Sequence, residues 1–245
     1  MNRVLLFTGE PLLMEEKIQY VPDHPTEIQL VSTFETKTTC LGAKFNPVSN
    51  DLFTNSDNDL KVLRTGCMEL KLLKNSGAAS IAITGDKIFM CSKPLNGEER
   101  EILVHDLTKG TDEVLASFKT NCTNVFHVSV SETFLAIVNR EHSATGTIKL
   151  YHRVNKSLLD VKLPYPVEPT NLMFLPDGTL LISGRGLEKT LCRYRLSENL
   201  GETPEMMWSC DLHDPCGLAL ADNGLIFVTR LQVFQPLTLV TQAGM

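Results

Sequence analysis

NLMFLPDGTLLISGR, residues 171–185, is the stretch on which the fold turns. Two apolar runs flank a tight polar turn at Asp177-Gly178, and Asp-Gly between such runs is the strongest short-range signal for a β-hairpin. Four other stretches overlay on it: GAKFNPVSNDLFTNSD (42–57), SIAITGDKIFMCSK (80–93), FHVSVSETFLAIVNR (126–140) and GLALADNGLIFVTR (217–230). Thr54, Met90, Ile137, Ile182 and Val228 hold the same place in the pattern, at steps of 36, 47, 45 and 46 residues. A repeat of about 40 to 45 residues is the length of one four-stranded propeller blade.

The segment after each hairpin completes the unit. LKVLR with MELKLLK, EILVHDL with EVLASF, IKLYHR with LLDVKL, TLCRYRL with MMWSCDL, and QVF with TLVTQA each form a second pair of short β-type runs. A sheet of four such strands cannot bury both faces alone, so the repeats are expected to pack radially around an axis. The expected fold class is an all-β propeller of four-stranded blades, six-bladed or incomplete. The expected blocks, within a single domain over 1–245, are 1–37, 38–75, 76–119, 120–163, 164–211 and 212–245.

The two ends carry weaker patterning. RVLLF, KIQYV and EIQLVSTF in residues 1–37 read as three strands of a further blade, while LLMEEKIQ (12–19) also suits a short helix. At the other end, RLQVF (230–234) follows its strand without the usual loop. Either that loop is shortened or the chain is a fragment of a longer product.

Length, charge and cysteines narrow the class. A chain of 245 residues buries roughly 70 to 75% of its unfolded surface, enough for one domain. The longest apolar runs fall well short of the ~20 residues that span a bilayer, so no membrane partner is expected. The opening MNRVLLFTGEP is too short for a secretory signal, and the expected location is cytoplasmic. Seven scattered cysteines (Cys40, Cys67, Cys91, Cys122, Cys192, Cys210 and Cys216), with no CxxC pair, read as buried reduced thiols. Asn121-Cys122-Thr123 and Asn155-Lys156-Ser157 match the glycosylation sequon, which a cytoplasmic chain leaves unused.

DPCGLALADNGLIFV (214–228) resembles the opening of an NHL repeat, in which a Pro-x-Gly segment leads through an apolar strand and an Asp-x-Gly turn into a second strand. EPTNLMFLPDGTLLI (168–182) is similar, and RLQVF resembles the start of that family's third strand. KFNPVSNDLFTNSDNDLKVL (44–63) looks equally like a WD repeat, although no Trp-Asp pair closes any unit and the one tryptophan is Trp208. The NHL resemblance implies a binding platform for proteins or single-stranded RNA, often attached to tripartite-motif proteins. No RING, B-box or coiled coil stands in this sequence, so ligase activity is not expected of it.

Catalytic signatures are missing. There is no GxxxxGK, GxSxG or HExxH, and His24, His105, His127, His142, His152 and His213 are spread over four units with no ligand spacing. No enzyme activity, metal or cofactor is expected. The alternative is drawn from six-bladed propellers of the gluconolactonase type, metal-dependent hydrolases that gather Glu, Asn and Asp around the tunnel. Glu168, Asn171, Asp214 and Asn124, before or at first strands, are the residues for that role.

One column of the repeat points to binding. Lys93, Arg140, Arg185 and Arg230 stand just after the second strand of four successive units, 47, 45 and 45 residues apart, with Asp57 in the unit before. Equivalent positions on successive blades form an arc on one face, and a cationic arc attracts an anionic partner even when the whole chain carries −6. The expected function is a non-catalytic module that binds a protein, through an acidic or phosphorylated peptide held by guanidinium groups. The alternative partner is a single-stranded RNA backbone. Only Phe126 and Tyr165 offer aromatic rings near that face, which favours protein over RNA.

Two local expectations follow from the first hairpin. Either Leu180 or Ile182 should point into a neighbouring sheet. Gly178 and Gly224 should take positive φ, while Thr179 should be an ordinary strand position that accepts Val.

Overall fold

The computed structural model of the chain describes residues 2–9, 28–36, 40–46, 51–56, 59–64, 70–73, 80–91, 99–108, 113–122, 124–140, 146–159, 163, 168–186, 188, 190–197, 202–220, 224–230 and 238–240. Every regular element among them is a strand. β1 (Asn2–Gly9) and β2 (Ile28–Thr36) pair antiparallel with a bulge at Leu6/Phe7. KIQYV and the alternative helix at 12–19 lie outside the described residues.

Four sheets of four antiparallel strands follow in order. The first holds β3 (Cys40–Asn46), β4 (Asp51–Ser56), β5 (Asp59–Arg64) and β6 (Leu70–Leu73). The second holds β7 (Ile81–Thr84), β8 (Lys87–Cys91), β9 (Glu101–Asp106) and β10 (Val114–Lys119). The third holds β11 (Val125–Val130), β12 (Phe134–Arg140), β13 (Gly146–His152) and the short β14 (Leu158–Leu159). The fourth holds β15 (Glu168–Phe174), β16 (Leu180–Arg185), β17 (Leu191–Arg195) and β18 (Glu205–Cys210). A last sheet pairs β19 (Pro215–Leu220), β20 (Ile226–Arg230) and β21 (Thr238–Val240), and QVF lies outside the described residues. Each sheet is a meander, every strand pairing with its predecessor.

The second strands show why the sheets stack as blades. Side chains alternate between the faces of a strand. In β8, Ile88 and Met90 join Phe53 and Val62 of the sheet before, while Phe89 and Cys91 join Val128 and Val130 of the sheet after. In β12, Leu135 and Ile137 face back toward Phe89, whereas Phe134, Ala136 and Val138 pack with Leu172 and Ile182. In β16, Leu180 and Ile182 face back to that cluster, and Leu181 faces forward to Ile226 and Val228. Burying both faces in this way needs a neighbour on each side, and that is the packing of a β-propeller.

This arrangement corrects the expectation for the first hairpin. Leu180 and Ile182 are two residues apart, so they share a face and are both fully buried; Leu181 is the residue that points the other way. The turn itself is as expected: Gly178 has φ +81° and Gly224 φ +83°, values that cost glycine nothing.

Thr179 departs from expectation. It lies before β16 rather than in it, it is buried, and its hydroxyl is committed. The Thr179 N–H and hydroxyl both donate to Asp177 Oδ1 (3.1 and 2.6 Å), and Arg193 Nε donates to Thr179 Oγ1 at 2.9 Å. A second Arg193 nitrogen holds Asp177 Oδ2. Burial would raise the Asp177 pKa, but the bonds from Thr179 and the Arg193 guanidinium outweigh it and hold the carboxyl below its usual range.

Candidate functional site

The inner strands carry polar side chains inside otherwise apolar runs, and these tie each blade to the next. The Val128 N–H donates to Ser80 Oγ (3.0 Å), the Leu172 N–H to His127 Nδ1 (3.3 Å) and the Phe174 N–H to Ser129 Oγ (3.1 Å). The last two bonds advance together along β11 and β15, so these strands run in the same direction. The Thr170 hydroxyl donates to Pro215 O (3.0 Å) and that of Ser183 to Cys216 O (3.3 Å). Backbone groups at the inner edge of a sheet have no strand to pair with, and buried ones need partners. A hydroxyl or imidazole from the preceding blade supplies them.

His127 is the unusual member of this set. Its ring is only partly covered by area, yet it is enclosed by packed strands, and that desolvation followed by the Lys44 charge pushes its pKa down from 6.5 to about 3. Burial likewise lowers the Lys44 pKa. A neutral ring is what the Leu172 N–H requires, because protonated Nδ1 accepts nothing. Sequence reading missed these residues, and their signal was a hydroxyl or imidazole recurring in the first strand of successive units.

Arg140 and Arg185 stand three residues past the matching core positions Ile137 and Ile182, while Arg230 stands two past Val228, one register position short. Arg140, Arg185 and Arg230 are each the last residue of the second strand of their sheet, in β12, β16 and β20. Arg185 pairs with Glu168 and Arg230 with Pro215, the residues that begin β15 and β19. Arg140 pairs with Gly146 at the start of β13. The Arg185 side chain is half-buried. Lys93, Asp57 and Tyr165 lie outside the described residues. Phe126, in the first strand of its sheet, is 42% exposed.

The hydrolase set is more dispersed in role. Asn124 is exposed before β11, and Glu168 is half-buried opposite Arg185. Asp214 has φ +45° and its Oδ2 lies 3.6 Å from His213 Nδ1. Asn171 Oδ1 is buried without a hydrogen-bond partner. Among the described residues, no group of three or more His, Cys, Asp or Glu could hold a metal ion.

The described thiols divide into two groups, Cys67 and the Cys40 side chain lying outside the described residues. Cys91, Cys122 and Cys192 are free and buried, while Cys210 and Cys216 are free but half-buried, which corrects the expectation for those two. Burial pushes Cys91 up to about 11, with Arg100 opposing it, and Cys210 up to about 11, helped by Asp211. Thiols so far above neutral pH are poor nucleophiles.

No protein-family model matches the sequence. No curated protein matches it either. Solved structures do share its fold. TolB from Acinetobacter baumannii superposes with a TM-score of 0.63 at 12% identity, over 87% of this chain and 55% of TolB. A chain of the mitotic checkpoint complex gives 0.55 at 10% identity, over 83% and 75% of the two chains. U3-55K gives 0.55 at 13%, over 81% and 63%. These are β-propeller proteins, and this chain is an all-β propeller with several four-stranded antiparallel sheets. It spans less than two thirds of the length of TolB and of U3-55K.

Proposed function

We propose that this chain is a non-catalytic interaction module, and that it holds a protein partner on the face where the second strands end. Lys93, Arg140, Arg185 and Arg230 supply a cationic arc for carboxylate or phosphate groups on that partner, an acidic or phosphorylated peptide. The observation that carries this reading is the matched register of Arg140 and Arg185, each three residues past its core residue at the end of β12 or β16, with Arg230 ending β20 one position earlier. In a chain with a net charge of −6, a column of cations on successive blades makes a local field of opposite sign to the whole. The resemblance of the Asp214–Val228 and Glu168–Ile182 stretches to NHL repeats supports an NHL-type platform, and the cytoplasm is the proposed site of action. A non-catalytic role is supported by what the inner-strand polar groups do: His127, Ser129 and Thr170 are engaged by neighbouring backbone.

The test is affinity capture with the parent and with Arg140→Glu combined with Arg185→Glu, each with and without nuclease. The parent should retain a protein partner after nuclease treatment and lose it as salt rises, because exposed charges are screened within ~8 Å at physiological ionic strength. The double variant should lose the partner while still folding, with a small drop in melting temperature because Arg185→Glu sets a second carboxylate opposite Glu168. Equal capture by parent and double variant defeats the proposal, and loss of the partner with nuclease transfers the site to RNA. Lactone hydrolysis that appears with an added divalent metal would replace it with the gluconolactonase-type reading.

A further inference from the structure

A groove opens between the second and third four-stranded sheets, at the end away from Arg140. Its volume is about 260 Å³. The floor is two phenylalanines, Phe89 from β8 and Phe118 from β10, with ring centroids 6.5 Å apart. Each ring carries a cation. The Arg153 guanidinium carbon stands 5.0 Å from the Phe89 centroid and Lys156 Nζ 5.3 Å from that of Phe118. Arg153 is fixed there because Nη1 donates to the backbone oxygens of Ser131 and Glu132, and Lys156 Nζ donates to Ser117 O at 3.4 Å. The rim is aliphatic and open: Leu115 is 39% and Val154 83% exposed. Lys87 and Glu132, with Val104 and Ala116, complete the lining.

We propose that this groove is a docking site for an extended acidic peptide of a partner protein, one that inserts a bulky apolar side chain between Leu115 and Val154 and sets its flanking carboxylates against Lys87 and Arg153. Charge selects the occupant. The lining holds Lys87 and Arg153 against a single carboxylate at Glu132, with Lys156 beside it over the Phe118 ring, a positive surplus on a chain whose net charge is −6. Size is compatible with this, since the groove falls just below the range of about 300–1,000 Å³ for small-molecule sites. Nucleic acid is disfavoured because base stacking needs open aromatic faces, and here both rings are buried and capped by cations. Shape agrees, since β10 is the outermost strand of its sheet and an extended segment can run along such an edge. This site is independent of the cationic arc.

The test uses three fluorescein-labelled ten-residue probes: a Leu-Phe centre flanked by Asp, the same centre flanked by Lys, and a Ser-Ser centre flanked by Asp. In anisotropy titrations the first should bind at least ten-fold more tightly than either control. Val154→Asp and Lys87→Glu should each weaken it at least ten-fold, and Lys87→Glu keeps the test valid should the first variant fold poorly. Arg140→Glu with Arg185→Glu should leave groove binding unchanged. The proposal is overturned if the first probe binds no better than the controls up to about 1 mM, or if the arc variant weakens it while the groove variants do not. It is also overturned if sedimentation shows a dimer that Val154→Asp dissociates, since the occupant is then a second copy.

Discussion

Three consecutive residues of β16 provide the sharpest test of the blade packing. Leu180, Leu181 and Ile182 are each fully buried, the outer two against Phe134, Val138 and Tyr194 and the middle one against Ile226 and Val228. Truncation to Ala removes three methylene-sized groups at about 0.8 kcal/mol each, so transfer alone costs roughly 2.4 kcal/mol. The cavity left behind brings the expected range to about 2–5 kcal/mol per site. A sheet with one face to water behaves differently, since its middle residue would be exposed and its truncation would cost no more than about 0.5 kcal/mol. Urea melts followed by Trp208 fluorescence read the difference directly, because the single tryptophan packs against the Leu181 cluster. All three variants should shift the midpoint by comparable amounts. Leu180→Ala and Ile182→Ala share one cluster and should couple. If Leu181→Ala melts with the parent while its neighbours do not, the sheet has one buried face, and the propeller packing argued from alternation is wrong.

Other variants probe single features. Thr179→Val should cost about 1–3 kcal/mol in the same melts, since it strands Arg193 Nε beside an apolar group, and Thr179→Ser should recover most of that loss. Gly178→Ala should cost about 1–2 kcal/mol from its positive φ alone, because nothing stands within 4 Å of the added carbon. Gly217→Ala should be worse than a strand average, because its Cβ would meet Thr229 Oγ1 at 2.6 Å and disturb the bond that the Gly217 N–H donates to that oxygen. For His127, the folded pKa of about 3 lies below the ordinary 6.5, so the unfolded chain takes up the extra proton. The stability this ring contributes is complete above about pH 6.5 and is lost as the pH falls toward 3. His127→Asn, which keeps an acceptor for the Leu172 N–H, should lose less of its urea midpoint between pH 7 and pH 4 than the parent does.

Local signals made the repeat readable and non-local ones hid its detail. Asp177-Gly178 and Asn223-Gly224 announce their turns from adjacent residues, and apolar alternation on either side marks the strands, so the hairpins were legible. The role of Thr179 was not, because its partner Arg193 lies on the next strand and its hydroxyl is invisible to a strand propensity. Leu180 and Ile182 were misjudged by setting them on opposite faces, when residues two apart in a strand share one and Leu181 faces the other neighbour. The inner-strand bonds were further still from view. His127 and Ser129 meet backbone N–H groups 45 residues ahead, a relation that appears only once the radial order of the blades is known. A spacing of cations is open to sequence reading, whereas the groove is not, since Arg153 reaches Phe89 across the junction of two sheets.

The placement of the two candidate surfaces follows from the same strand geometry. β12 begins after the turn that carries Glu132 and ends at Arg140, and six steps of about 3.3 Å separate its ends by roughly 20 Å. That is more than two screening lengths of ~8 Å at physiological salt, so reversing a charge at one end changes the field at the other very little. Reversal of Arg140 and Arg185 therefore reports on the strand-end arc alone, and reversal of Lys87 on the groove alone. A partner that loses affinity with both must span the length of a blade and touch the propeller at two places, and its two losses should then add in free energy, because the sites share no side chain and no common field.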